Sequence, residues 1–132
     1  RMGCLGMVSP EIMFYAEMTG LENILFFAQA RGQKCSSKEV EECFQVVGLA
    51  AYKDHFVYTY STGMRQRLKF ALMLILKPLL WLLDEPSSNL DDDGKQIVRE
   101  MISSGLANQS TLIIGTNESW EAEYANYKIQ LA

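Results

Sequence analysis

The sequence predicts an α/β fold, a parallel sheet with an α-helical segment inserted ahead of its later strands. Three observations predict it. LLWLL, residues 79–83, is an unbroken apolar run, the pattern of a strand covered on both faces. TLIIGT, residues 111–116, is a second run of that kind. Between them DDDGKQIVREMISSG, residues 91–105, reads as a helix with acids at its positive end. Strand, helix and strand in so short a span make a βαβ unit and hence a parallel sheet.

The other elements follow in order. LGMVS, residues 5–9, is a short strand stopped by Pro10. GLENILFFAQAR, residues 20–31, has Leu21, Ile24, Leu25, Phe27 and Ala28 at helical spacing. Thr19 and Glu22 form a capping box before it, and Gly32 stops it. Ser36 or Ser37 caps a second helix, KEVEECFQVVGL, with Val40, Cys43, Phe44 and Val47 on one side and Gly48 at its end. Residues 49–60 are a polar and aromatic connection. A third helix starts near Thr62, polar in its first turn and apolar almost all round thereafter, until Pro78 ends it. After the strand at 111–116, SWEAEYA is a short helix and YKIQL, residues 127–131, a last strand.

The totals bound the function. A chain of 132 residues, 48% hydrophobic and 21% charged, has the composition of a globular domain with a sizeable core. A net charge of −4 with no basic stripe argues against nucleic acid as a partner. Cys4, Cys35 and Cys43 form no CxxC pair and leave one thiol over in any disulfide scheme, which suits a reducing compartment. FALMLILKPLLWLL is broken by Lys77-Pro78, and each half is too short to span a bilayer. No signal peptide is visible, and the opening Arg1 followed by strand-like residues suggests a piece of a longer protein.

Asp84 and Glu85 stand at the carboxyl end of the first apolar run, where open parallel sheets bind ligands. One carboxylate can hold Mg²⁺, through water because Mg²⁺ dehydrates reluctantly. The other can polarise an attacking water. By themselves the two acids fit equally well a plain cap for the next helix. The second strand ends at Thr116-Asn117-Glu118, which the sheet should bring beside Asp84. Upstream, Ser61, Thr62 and Gly63 at a helix start offer free N–H groups, a hydroxyl and close backbone approach, an anion site or an ordinary N-cap.

In order and spacing, YSTGMRQR, LLWLLDEPSSNLD and TLIIGTNE resemble the nucleotide-binding subunit of ATP-binding-cassette (ABC) transporters. The family signature, LSGGQ then QR, stands here as Tyr60–Met64 and Arg65-Gln66-Arg67. LLWLLDEP is similar to Walker B, Ser88-Asn89-Leu90-Asp91 to the D-loop, and TLIIGT-Asn117 to the switch strand. LGMVSPEIMFYAEMTGLENILFF resembles the Q-loop and the start of the helical subdomain, with T-x-x-E-N at Thr19, Glu22 and Asn23. The resemblance implies part of a P-loop NTPase (RecA-like) sheet with an inserted helical subdomain. Residues 1–17 would close the N-terminal core and carry the Q-loop, 18–66 form the helical subdomain, and 67–132 form the RecA-like C-terminal part. It also implies roles. Asp84 positions Mg²⁺, Glu85 is the general base, and Ser61, Thr62 and Gly63 contact the γ-phosphate of ATP on the opposite subunit. Ser88 and Asp91 belong to the loop that couples the two sites.

Departures from the pattern are plain. GxxxxGK[ST] occurs nowhere, and Gly94-Lys95 is followed by Gln96 within a helix. The 132 residues alone are therefore expected not to bind ATP tightly, and to associate through apolar sheet surface. Pro10, beside Glu11, occupies the Q-loop glutamine position. Asn117 replaces the switch histidine and cannot carry a proton; the single histidine, His55, reads as a surface residue. Thr62 and Met64 replace Gly and Gln in the signature, which resembles those of ABC-2-type and haem exporters. The implied whole is an ATPase on the cytoplasmic face of the membrane, working with a membrane-spanning permease and a second nucleotide-binding subunit. A soluble non-transport ABC ATPase and a non-hydrolysing interaction module are the alternatives.

Overall fold

The computed structural model describes residues 5–8, 13–107 and 110–131. Three strands, β1 (Leu5–Val8), β2 (Leu80–Asp84) and β3 (Thr111–Gly115), form one parallel sheet in the order β1-β2-β3. Helices α1 (Gly20–Ala30), α2 (Ser37–Val46) and α3 (Thr62–Leu76) lie between β1 and β2. Helix α4 (Asp92–Ala107) joins β2 to β3, and α5 (Ser119–Ala122) follows β3.

Helix starts are set by side chains. Thr19 Oγ1 accepts the Glu22 N–H at 3.0 Å while Glu22 accepts the Thr19 N–H at 2.9 Å. Ser36 and Glu39 close the same box on α2. α1 and α2 are followed by Gly32 and Gly48, at φ +70 and +73, where an L side chain is strained. α3 stops at Lys77, which turns left-handed at φ 46 before Pro78, a residue with no N–H to continue the helix.

α3 is the spine. Its apolar residues pack on α1 and α2 at one side and on β1 and α4 at the other. Leu68, Phe70, Ala71, Met73 and Ile75 are all buried, in a hydrophobic cluster that runs unbroken from Ile24 and Phe44 to Trp81, Val98 and Ile102. α3 passes straight through residues 66 and 67, where the sequence divides helical from RecA-like parts.

Both later strands differ from the fully covered strands expected. Trp81 and Leu83 are buried at 4% and 2%, but Leu80 and Leu82 are half-buried, and Ile113 on β3 is 56% exposed. In register, Trp81 pairs with Leu112 and Leu83 with Ile114, so these four share one face and pack into the cluster formed with α3 and α4. Leu80, Leu82 and Ile113 face the other way. Residues 127–131 form no strand, despite the alternation of Tyr127, Ile129 and Leu131. These three are almost fully exposed, and an extended segment without a hydrogen-bonded neighbour is not stable as a strand. α5 stops at Ala122, short of the expected 125.

Candidate active site

The site forms at the carboxyl edge of β2 and β3, as the parallel sheet requires. Asp84, the last residue of β2, is exposed and pairs with Gly115. Glu85 leaves the strand with φ 48, a left-handed conformation that costs a non-glycine residue about 1–2 kcal/mol. Neighbouring bonds hold it there. Its N–H donates to Gly115 O at 2.8 Å, and its carbonyl accepts from the Ser88 N–H at 3.0 Å. Asn117 Nδ2 donates to the Glu85 carboxylate at 3.1 Å. The sharp turn sets Glu85 apart from Asp84, and the two acids face different surroundings.

The loop after Glu85 is fastened at several further points. Gln66, 6% exposed on α3, donates through Nε2 to Pro86 O at 2.9 Å. Ser87 Oγ donates to the buried carboxylate of Glu121 on α5. Asn89 is left-handed at φ 63. Asp91 Oδ1 accepts the Gly94 N–H at 2.8 Å, capping α4, and also accepts from Arg67 Nη2 at 3.1 Å. The Gly94 N–H, with the Arg67 guanidinium, holds the Asp91 carboxyl below the usual carboxylate range.

The start of α3 lies against this loop. Ser61 Oγ accepts the Met64 N–H at 3.1 Å, an N-cap, leaving its own O–H free to donate. Thr62 is exposed and Gly63 half-buried. A Cβ on Gly63 would sit 3.1 Å from Asn89 O, so a side chain there would push the helix start and the 88–91 loop apart by a few tenths of an ångström. Ser61, Thr62, Gly63 and Met64 form one wall of an open cleft of about 620 Å³, and Asn89, Leu90 and Asp91 another.

The structure thus brings Glu85 to Asn117, and Ser61, Thr62 and Gly63 to Ser88, Asn89 and Asp91. Pro10 and Glu11 lie outside the described residues. His55 is exposed, as expected, with its ring edge-on to Tyr52. Cys35 and Cys43 are unbridged, and burial raises both thiols, Cys43 to about 11. Sequence reasoning quoted Gln66 and Arg67 within the signature but gave them no task; the structure makes them the ties between α3 and the loop. Ser87 and Glu121 lie within quoted stretches with no role attached, and no spacing in the sequence links two residues 34 apart in this way. No group of three or more His, Cys, Asp or Glu side chains is placed to hold a metal among the described residues. Asp84 supplies a single carboxylate, which fits a hydrated Mg²⁺ bound mostly by phosphate oxygens and water.

Known proteins share this fold. Two solved structures superpose with TM-scores of 0.80. One is an ATP-binding subunit of an ABC transporter, at 23% identity, with 92% of this chain and 51% of that one covered. The other is a dimeric post-hydrolysis ATP-binding cassette bound to ADP and Pi, at 21% identity, with 91% and 55% covered. Likeness at that identity establishes the fold. Among curated proteins, the cytochrome c biogenesis ATP-binding export protein CcmA of Xanthomonas oryzae pv. oryzae is 36% identical over 107 residues, 81% of this chain and 50% of its own length. The bacitracin transport ATP-binding protein BcrA of Enterococcus faecalis is 37% identical over 111 residues, 83% of this chain and 36% of its own length. The chain therefore spans half or less of these relatives. The sequence pattern of the ABC transporter family matches residues 3–88, from β1 through Glu85 to Ser88, and with the fold agreeing, the chain belongs to that family.

Proposed function

We propose that the protein is the ATP-hydrolysing, nucleotide-binding subunit of an ABC exporter, and that Glu85 is the general base. The observation that carries this reading is the Glu85–Asn117 contact at the mouth of two parallel strands. A carboxylate held at 3.1 Å by a neutral amide stays free to take a proton from water, and the amide cannot compete for it. Asn117 orients Glu85. Ser61, Thr62 and Gly63, on the rim of the open cleft, receive the γ-phosphate of the nucleotide bound by a second subunit. Asp91 and Ser88 place the loop that faces that subunit. Phosphoryl transfer is chiefly positioning and charge neutralisation, so assembling the site from two subunits ties catalysis to their closure. Asp84 is the residue that would hold Mg²⁺, which would supply charge neutralisation at the phosphates. Residues 1–17, 18–66 and 67–132 are the core edge with Q-loop, the helical subdomain and the RecA-like part.

Export is favoured by two relatives, an export protein and a bacitracin transport protein. A permease contact is supported by the aromatic surface of α1 and the segment before it. Met13 is 81% exposed, and Tyr15, Leu25 and Phe26 are each more than two-fifths exposed. Tyr15 meets Phe26 edge-on and stacks on Phe27, so the patch is preorganised. No described helix is long and apolar enough to cross a membrane, and the membrane-spanning partner holds the complex at the cytoplasmic face. The test is phosphate release by the full-length protein at steady state, with Glu85→Gln as the comparison. Release by the wild type well above Glu85→Gln supports the assignment; equal rates remove Glu85 from the mechanism.

A further inference from the structure

Glu121 is completely buried, yet it is a carboxylate. One oxygen, Oε1, accepts from Ser87 Oγ; the other, Oε2, has no hydrogen-bond partner among the described residues. Withdrawing a carboxyl group from water and leaving half of it unsatisfied is far more costly than placing an apolar side chain of that size there. Packing therefore does not account for this residue. Among the described residues its side chain has one hydrogen-bond partner, Ser87, itself 5% exposed and two residues beyond Glu85.

Glu85 sits between two tethers that descend from the segment after β3. Asn117 holds its carboxylate from one side. Four residues further along the same segment, Glu121 holds Ser87, whose preceding residue Pro86 is fixed from the opposite side by Gln66. Glu85 is in a left-handed conformation that an unrestrained loop would abandon. We propose that Glu121 is a positioning residue for hydrolysis. Through Ser87 it locks the turn at 85–88 so that the Glu85 carboxylate stays on Asn117 and aimed out of the strand end. The proposal rests on the assignment of Glu85 as general base. It adds that α5, through the Glu121–Ser87 bond, sets the base's geometry.

The experiment uses the full-length protein and steady-state ATP hydrolysis with varied MgATP. Ser87→Ala removes the bond with the least disturbance, and Glu121→Ala removes it from the other end. Each lowers kcat by about tenfold or more, as loss of an orienting partner does, while KM for MgATP stays within about twofold. The double variant loses no more than either single one, because both cut one bond. Glu121→Gln, which retains the acceptor for Ser87, recovers most of the lost kcat. If Ser87→Ala and Glu121→Ala, folded by thermal melting, keep wild-type kcat, or if their losses add, Glu121 is not a positioning residue. Should Glu121→Ala fail to fold, Ser87→Ala decides alone. A wild type no faster than Glu85→Gln would instead defeat the assignment of the base, so the two failures are distinct.

Discussion

Asn117 donates its side-chain amide to the carboxylate of Glu85 at 3.1 Å, joining the ends of two neighbouring strands. The amide is neutral at every accessible pH, so this contact orients the carboxylate without adding a titrating group of its own. Asn117→Ala should therefore lower kcat in the full-length protein by about tenfold, with little change in KM. Asn117→His should restore orientation and introduce a new pH dependence near the ordinary histidine pKa of about 6.5. Rate profiles between pH 5.5 and 8 for the three proteins check both statements, and a wild type already showing a transition that Asn117→His leaves unchanged would contradict them.

Gly63 should accept a side chain only at a cost. The position of Asn89 O leaves a Cβ at 3.1 Å with backbone as its neighbour, so either the helix start or the left-handed Asn89 must shift. Gly63→Ala is expected to destabilise by about 1 kcal/mol and to widen the 61–64 to 89–91 cleft. A urea melt reports the first, and trypsin susceptibility at Arg65 and Arg67 the second. An unchanged melt and cleavage pattern would show that the approach is loose.

Asn23 holds the turn before α1. It is fully buried, its Oδ1 accepts the Tyr15 N–H at 2.8 Å, and its Nδ2 reaches Tyr15 O at 3.0 Å and Thr19 O at 2.9 Å. Asn23→Ala strands those backbone groups and should cost about 3 kcal/mol in urea unfolding. Thr19→Ala, which loses one exposed cap, should cost about 1 kcal/mol. Equal losses would mean that burial does not amplify the Asn23 bonds.

Tyr60 gives the fold an alkaline limit. Its hydroxyl donates to Tyr52 O at 2.6 Å from a buried position, and burial pushes its pKa up to about 12. The folded state thus favours the neutral phenol relative to the unfolded chain, whose value is about 10. That stability is complete below pH 10 and drains away as pH rises from 10 through 12. Stability measured across that interval should fall for the wild type and fall less for Tyr60→Phe.

Much of this was legible in the residues. Caps at Thr19 and Ser36, stops at Gly32, Gly48 and Pro78, and the apolar runs at 79–83 and 111–116 are local signals, and the elements appear where those signals stand. The acids at a strand end and polar residues at its neighbour's end follow from strand parallelism; the expected neighbour of residues 116–118 was Asp84, whereas Asp84 pairs with Gly115 and Asn117 reaches Glu85. Coverage was not legible. A continuous apolar run does not say how many layers pack on it, so Ile113 reads as buried in the sequence although only the face with Leu112 and Ile114 meets the helices. The alternation in Tyr127, Ile129 and Leu131 promised a strand, but pairing is a property of neighbours. The Gln66–Pro86 and Ser87–Glu121 bonds join residues 20 and 34 apart, and nothing periodic announces them.

The most direct test of Glu85 as general base is single-turnover cleavage of MgATP by the full-length protein, with nucleotide affinity measured alongside. Glu85→Gln should slow cleavage by about 100-fold or more while affinity for MgATP stays near that of the wild type. Cleavage at the wild-type rate by Glu85→Gln, with nucleotide bound equally well, would contradict the account.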